Sequence, residues 1–133
     1  EKIEKAIALV NNGAKLIATN PDTTGPTEHG VMPATGALVA PIEIATGKKA
    51  YFVGKPNPLM IRHGMRKLGC HSEEIAFIGD RMDTDIIAGI ESNVDSVLVL
   101  SGVTALEDID RFPYRPKYVL NGVGDIVRAA ETK

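Results

Sequence analysis

Apolar positions along the chain follow two periods. Ile3, Ile7 and Val10 fall at i, i+4 and i+7, one stripe of a helix, and "NNG" at Asn11 to Gly13 is a helix stop. "KLIATN" then reads as a strand, and Asn20 to Pro33, rich in Pro, Gly, Thr and Asp, as a loop. "TGALVAPIEIATG" reads as a helix, but Pro41 lacks the N–H that an interior turn needs, so a kink or a late start is expected there. "KAYFVG" is a second strand. In "KPNPLMIRHGMRKLG", Asn57 is placed to cap, Pro58 to open the helix, Ile61, Met65 and Leu68 to face inward, and Gly69 to end it.

The alternation continues with strand "IAFIG", a helix from about Thr84 to Glu91 with Ile86, Ile87 and Ile90 inward, and strand "SVLVL". A capping box at Thr104 to Glu107, strand "KYVL" and a terminal helix follow. Strands of this length, rich in Val, Ile and Leu and without polar alternation, suit a parallel sheet covered on both faces. The expected class is α/β, doubly wound and Rossmann-like. No repeat or low-complexity tract is present, and Asn20 to Pro33 is the best place for a boundary within what otherwise reads as one globular unit.

Composition narrows the partners. Fifteen basic against 17 acidic residues give a formal charge of −2, so nothing draws the whole chain to nucleic acid or to an anionic membrane. Phosphate, if bound, must be held locally. The apolar runs fall well short of the roughly 18 residues of a membrane span, and the opening decade reads as an amphipathic helix rather than a signal peptide. The single cysteine, Cys70, excludes an internal disulfide and suits a cytoplasmic setting. Cys70 reads as structural, Met60 and Met65 as core or near-core filling, His63 as an exposed helix residue, and His29 and His71 as loop residues without a zinc partner.

Ligands of open parallel sheets gather beyond the carboxyl ends of the strands, and there this chain is polar. Thr19, Asn20 and Asp22 follow "LIA", Lys55 follows "YFVG", Asp80, Asp83 and Asp85 follow "IAFIG", and Ser101 and Gly102 follow "VLVL". Clustered carboxylates repel, and a hard cation with oxygen ligands relieves them. Mg²⁺ on Asp80 is the expected arrangement, with Asp85 capping the next helix, orienting metal-bound water, or both, and Asp83 solvated. Lys55 precedes Asp80 by one β-α-β unit, which brings the two together if their strands are neighbours.

These residues resemble a known family. "VGKPNP", "IAFIGDRMDTDIIAG" and "VLVLSGV" look like the third and fourth motifs of haloacid dehalogenase (HAD) superfamily phosphatases. "NGAKLIATNPDTT" and "ATGALVAPIEIATGKKAYFVGKP" resemble the class IIA, NagD-like branch. The resemblance implies a HAD-like core over residues 37–133 and the C-terminal end of an α/β cap domain over residues 1–36. It makes Lys55 the lysine that stabilises nucleophile and phosphoryl charge, Asp80 a Mg²⁺ ligand, and Asp85 a support of the metal site. Thr19, Asn20 and Asp22 become cap-loop residues that select substrate, with Thr19 also matching a second-motif phosphate ligand if its strand joins the core sheet.

The implied reaction is hydrolysis of a small phosphate monoester, such as a nucleotide monophosphate or sugar phosphate, through an aspartyl-phosphate. One part of the pattern is missing. The family's apolar strand ending in D-x-D is absent, since "DTD" at Asp83 to Asp85 and "DID" at Asp108 to Asp110 neither follow such a strand nor precede the expected glycine and threonine. The expectation is therefore a C-terminal half, fragment or shortened gene, with little or no activity alone. The competing expectation is a non-catalytic α/β module that binds phosphate, a nucleotide or a protein. In either case an exposed sheet edge favours self-association.

Overall fold

The computed structural model describes residues 1–131. It divides into two compact units, Glu1–Asn57 and the chain from Pro58 onward, rather than the single unit expected. Both are α/β with parallel strands, the class that the apolar runs predicted.

In the first unit, α1 (Lys2–Asn11) packs on α2 (Thr35–Thr46), and β1 (Ile17–Ala18) pairs in parallel with β4 (Tyr51–Phe52). Val10, Ala18, Val39 and Ile42 form its buried apolar positions. The stripe of α1 is only partly inward, because Ile3 stays exposed while Val10 is buried.

Two expectations fail here. The presumed loop holds an antiparallel hairpin, β2 (Thr24–Thr27) and β3 (Gly30–Pro33), closed by Glu28 and His29. Its prolines, Pro26 and Pro33, are tolerable because a two-stranded ribbon has only edge strands. And α2 starts at Thr35, ahead of Pro41, so the late start is wrong. Pro41 sits within the helix, which is held by its buried side chains Val39 and Ile42 and ended by Gly47 in the left-handed region at φ 64°.

Glu43 ties the end of α2 to the approach of β4. Its Oε1 accepts the Ala50 N–H at 2.8 Å and its Oε2 the Lys49 ammonium at 3.3 Å. The Ala50 bond, helped by Lys49, holds this carboxyl below the ordinary value of 4.5. A depressed carboxyl contributes stability above its unfolded value and loses it as pH falls through the folded one. Glu43→Gln is therefore expected to melt lower than the parent at pH 7, with the deficit shrinking as pH drops below about 4.5. An equal deficit at pH 7 and pH 3 would remove the carboxylate from that role.

In the second unit, β5 (Ala76–Gly79), β6 (Asp95–Val99) and β7 (Tyr118–Leu120) form a parallel sheet in the order β5-β6-β7. The helices are α3 (Pro58–Leu68), α4 (Ile87–Glu91) and α5 (Gly124–Glu131). The central strand β6 is buried from Ser96 to Val99, as its unbroken apolar run requires. Leu98 packs with Met82, Ile86 and Ile109 in one cluster, while Ile61, Ala88 and Val94 make another, against which Met65 and Phe77 lie. Lys117 pins the β6-β7 register through both oxygens of Asp95, at 2.7 and 2.8 Å, and that bond raises the ammonium's pKa.

Pro58 opens α3 as expected, but Leu68, assigned inward, is 74% exposed, because α3 ends there and its last turn lies off the core. Met60 is exposed as well, on the side away from Ile61. The helix expected from Thr84 is instead a π-helical turn, Met82–Ile86, running into α4, and Ile90 points outward. The capping box at Thr104 does not form. A 3-10 helix spans Leu106–Arg111 after Ala105, and Thr104 turns inward.

Candidate active site

Asp80 is the first residue past β5. Its Oδ2 accepts the Val103 N–H at 2.8 Å, and its carbonyl accepts the Thr104 N–H at 3.0 Å, so the segment after β6 is laced to the tip of β5. Gly102 allows this approach, because a Cβ there would lie 2.0 Å from Asp80 Oδ2. Among the described residues no hydrogen bond is made to Asp80 Oδ1, and the residue is half-buried.

Asp85 stands behind it. Only 2% exposed, it accepts the backbone N–H groups of Asp80 and Arg81 on Oδ2, at 3.2 and 3.1 Å. The π turn makes this possible, as Ile86 N–H reaches back five residues to the Arg81 carbonyl and the wider coil returns Asp85 to the strand tip. Gly79 again clears the path, since a Cβ there would meet Asp85 Cγ at 2.2 Å. Asp85 therefore braces the Asp80 loop. Asp83, expected in solvent, is exposed and takes a two-pronged contact from Arg81 at 3.1 and 2.8 Å.

Three further parts of this loop escaped the sequence reading. Thr104 Oγ1 accepts the Met82 N–H at 3.3 Å, and Tyr114 donates its hydroxyl to the Met82 carbonyl at 3.0 Å. Burial raises the pKa of Tyr114, with Asp83 and Glu91 adding to it, so the phenol stays a donor at neutral pH. The third is the Val103 N–H. The run "VLVLSGV" was the available signal, since glycine after a strand marks close backbone approach.

In the first unit, the parallel pairing of β1 and β4 sets Thr19 and Lys55 just beyond neighbouring strand ends. Gly54 N–H donates to the Thr19 carbonyl at 2.6 Å, and Thr19 Oγ1 lies 3.1 Å from Thr35 Oγ1. Asn20 Nδ2 donates to Asp22 Oδ2 at 2.7 Å, while Asn20 Oδ1 and Asp22 Oδ1 are buried oxygens without a hydrogen-bond partner among the described residues. Such acceptors call for a donor. Thr19, Asn20, Asp22 and Lys55 are thus one neighbourhood, and Asp80 and Asp85 another; β4 pairs with β1 and β5 with β6, so the strands before Lys55 and Asp80 are not the paired neighbours expected.

The donor set of the second neighbourhood suits Mg²⁺, which takes one or two carboxylates and completes its octahedron with water and phosphate oxygens. No group of three or more His, Cys, Asp or Glu able to hold a metal occurs among the described residues.

An α/β unit with a braced carboxylate at the tip of a parallel strand presents that carboxylate where open sheets of this class gather their ligands. The chain belongs to the HAD-hydrolase-like family, whose pattern matches residues 52–126. It is 48% identical over 126 residues to the dihydroxyacetone phosphatase of Corynebacterium glutamicum, covering 95% of this chain and 46% of that protein. It is 47% identical to the ribonucleotide monophosphatase NagD of Escherichia coli, over 95% of this chain and 49% of the relative. The structure of a 4-nitrophenylphosphatase from Thermotoga maritima superposes with a TM-score of 0.89 at 37% identity, covering 95% of this chain and 49% of that one. The NagD-like resemblance therefore holds, and the chain spans about half the length of the curated relatives it matches.

Proposed function

We propose that these residues form the metal-binding and charge-stabilising half of a Mg²⁺-dependent, NagD-like phosphatase that cleaves small phosphate monoesters. The observation that carries this is Asp80, held at the strand tip by Val103 and backed by the buried Asp85, with one carboxylate oxygen outside those bonds. The resemblance assigns residues 37–133 to the core and 1–36 to the end of a cap, although the compact units divide at Asn57 and β1 pairs with β4 across residue 36. The names of the relatives, a dihydroxyacetone phosphatase and a ribonucleotide monophosphatase, support a substrate that is a sugar-like or nucleoside phosphate.

Asp80 would hold Mg²⁺, with Asp85 orienting it from behind; the cation, when bound, offsets phosphoryl charge as it develops. Lys55 supplies a second positive charge to the phosphoryl oxygens. Thr19, Asn20 and Asp22, in the first unit, would select substrate as cap-loop residues; the strand before Thr19 pairs with β4 and not with the β5-β6-β7 sheet, so the second-motif phosphate role expected of Thr19 is not carried further. The attacking aspartate, which would form the aspartyl-phosphate, comes from a segment that these residues do not contain. Without it about 10⁶ in rate is forfeited, so the 133-residue chain alone is expected not to turn over. A cytoplasmic location suits such a substrate.

A fusion tests the reading. The N-terminal half of Escherichia coli NagD joined to this chain is expected to hydrolyse p-nitrophenyl phosphate only with Mg²⁺. A folded fusion with no turnover would favour a non-catalytic binding module instead.

A further inference from the structure

The second unit carries another site at the opposite end of its strands. α3 presents Arg62 and Arg66 four residues apart, hence on one face, and among the described residues neither guanidinium takes part in an ion pair. Gly69, at φ 68°, ends the helix and turns the chain back, with Cys70 N–H closing on the Met65 carbonyl at 3.2 Å. His71 follows as the cap of a short 3-10 turn. Its carbonyl accepts the Glu74 N–H at 3.1 Å, and its own N–H donates to Glu74 Oε2 at 2.7 Å.

These groups border an open cleft of about 640 Å³, completed by Ser72 and by Ser92 at the end of α4. Among the described residues Ser92 Oγ is buried and lacks a hydrogen-bond partner, while the Ser92 N–H is spent on Ala88 and Gly89. An unsatisfied buried hydroxyl calls for an occupant. Among the described residues no carboxylate lines the cleft; Glu73 and Glu91 adjoin Ser72 and Ser92 in sequence without lining it, and Glu74 is turned to the His71 backbone. Two guanidiniums and two hydroxyls, with the His71 imidazole beside them, make a donor set for an anion, and guanidinium is the side chain best shaped to grip phosphate oxygens.

The cleft is separate from Asp80. Cys70 to Ser72 lead into the start of β5 and Ser92 precedes β6, whereas Asp80 lies past the end of β5, a strand length of roughly 13 Å away. The geometry points to a second anion site between α3 and the end of α4, which takes the phosphate group of a small phosphorylated molecule through Arg62, Arg66 and Ser92. A volume of 640 Å³ is within the range of small-molecule sites, and Met65 and Cys70 give it an apolar wall for the rest of the ligand. The inference does not depend on the proposed catalysis.

The test is a Mg²⁺-free titration of this chain with inorganic phosphate, and in parallel with adenosine 5′-monophosphate, followed by amide chemical shifts. Saturable shifts are expected at Gly69 to Ser72 and at Ser92 and Asn93. They should persist in Asp80→Ala, which removes the carboxylate of the other site. In Arg62→Ala/Arg66→Ala affinity should fall at least tenfold, with the melting temperature unchanged because both side chains are exposed. Ser92→Ala, which keeps both arginines, should weaken binding to a smaller degree. Tighter binding of the nucleotide than of phosphate would make the ligand a phosphomonoester, and equal binding would make it phosphate alone. Shifts absent from these amides, or unaltered in the double variant, would overturn the site.

Discussion

Asp80→Ala in the NagD fusion is expected to lower Mg²⁺-dependent turnover of p-nitrophenyl phosphate by at least about 10²-fold, the scale on which losing one preorganised charge-stabilising group is felt. The fold should survive the change. Asp80 is only half-buried, and its side chain accepts a single neutral hydrogen bond from Val103, worth about 1 kcal/mol. Lys55→Ala should bring a loss of similar order that raising Mg²⁺ does not repair, whereas high Mg²⁺ should partly rescue Asp80→Asn. Full activity in Asp80→Ala at ordinary Mg²⁺ would mean that another group holds the cation, and would remove Asp80 from the site.

Gly79→Ala is expected to cost more in stability than any other single methyl added to the second unit. The new Cβ would stand 2.2 Å from both Cβ and Cγ of Asp85, a side chain that is 2% exposed and committed to two backbone N–H groups. It cannot step aside. Overpacking of this kind costs about 1–3 kcal/mol, and freeing buried N–H groups from a carboxylate adds a further ~1–3 kcal/mol. Gly102→Ala makes the useful contrast, since its Cβ would press on Asp80, which is half-buried and able to yield. Urea unfolding should show a much lower midpoint for Gly79→Ala and a modest change for Gly102→Ala, while fusion activity should be lost in both. A wild-type midpoint for Gly79→Ala would show that Asp85 is not held as described.

Several features could be read without coordinates because each is local. The unbroken run "SVLVL" demanded burial on both faces, and Ser96 to Val99 are buried. Pro58 and Gly69 punctuated α3 where backbone chemistry requires. Asp80 was visible because a carboxylate directly after an apolar strand has one place to be. The misreadings share another cause. Pro26 and Pro33 argued for a loop, yet edge pairing tolerates them; Pro41 argued for a late helix, yet burial of Val39 and Ile42 outweighs one lost hydrogen bond.

The sequence by itself determined the α/β class, the strand ends at which Thr19, Lys55 and Asp80 stand, and the lack of a D-x-D after an apolar strand, since all three follow from residue type and spacing along the chain. Only the tertiary structure decided what those residues touch. That Asp85 braces the strand tip a turn behind it, that Thr104 turns inward to Met82, and that Ser92 lines one cleft with two arginines of another helix depend on how the chain is packed and not on residue type. Periodicity carries no information about such meetings, because the burial and close backbone approach that settle them exist only once the segments are packed.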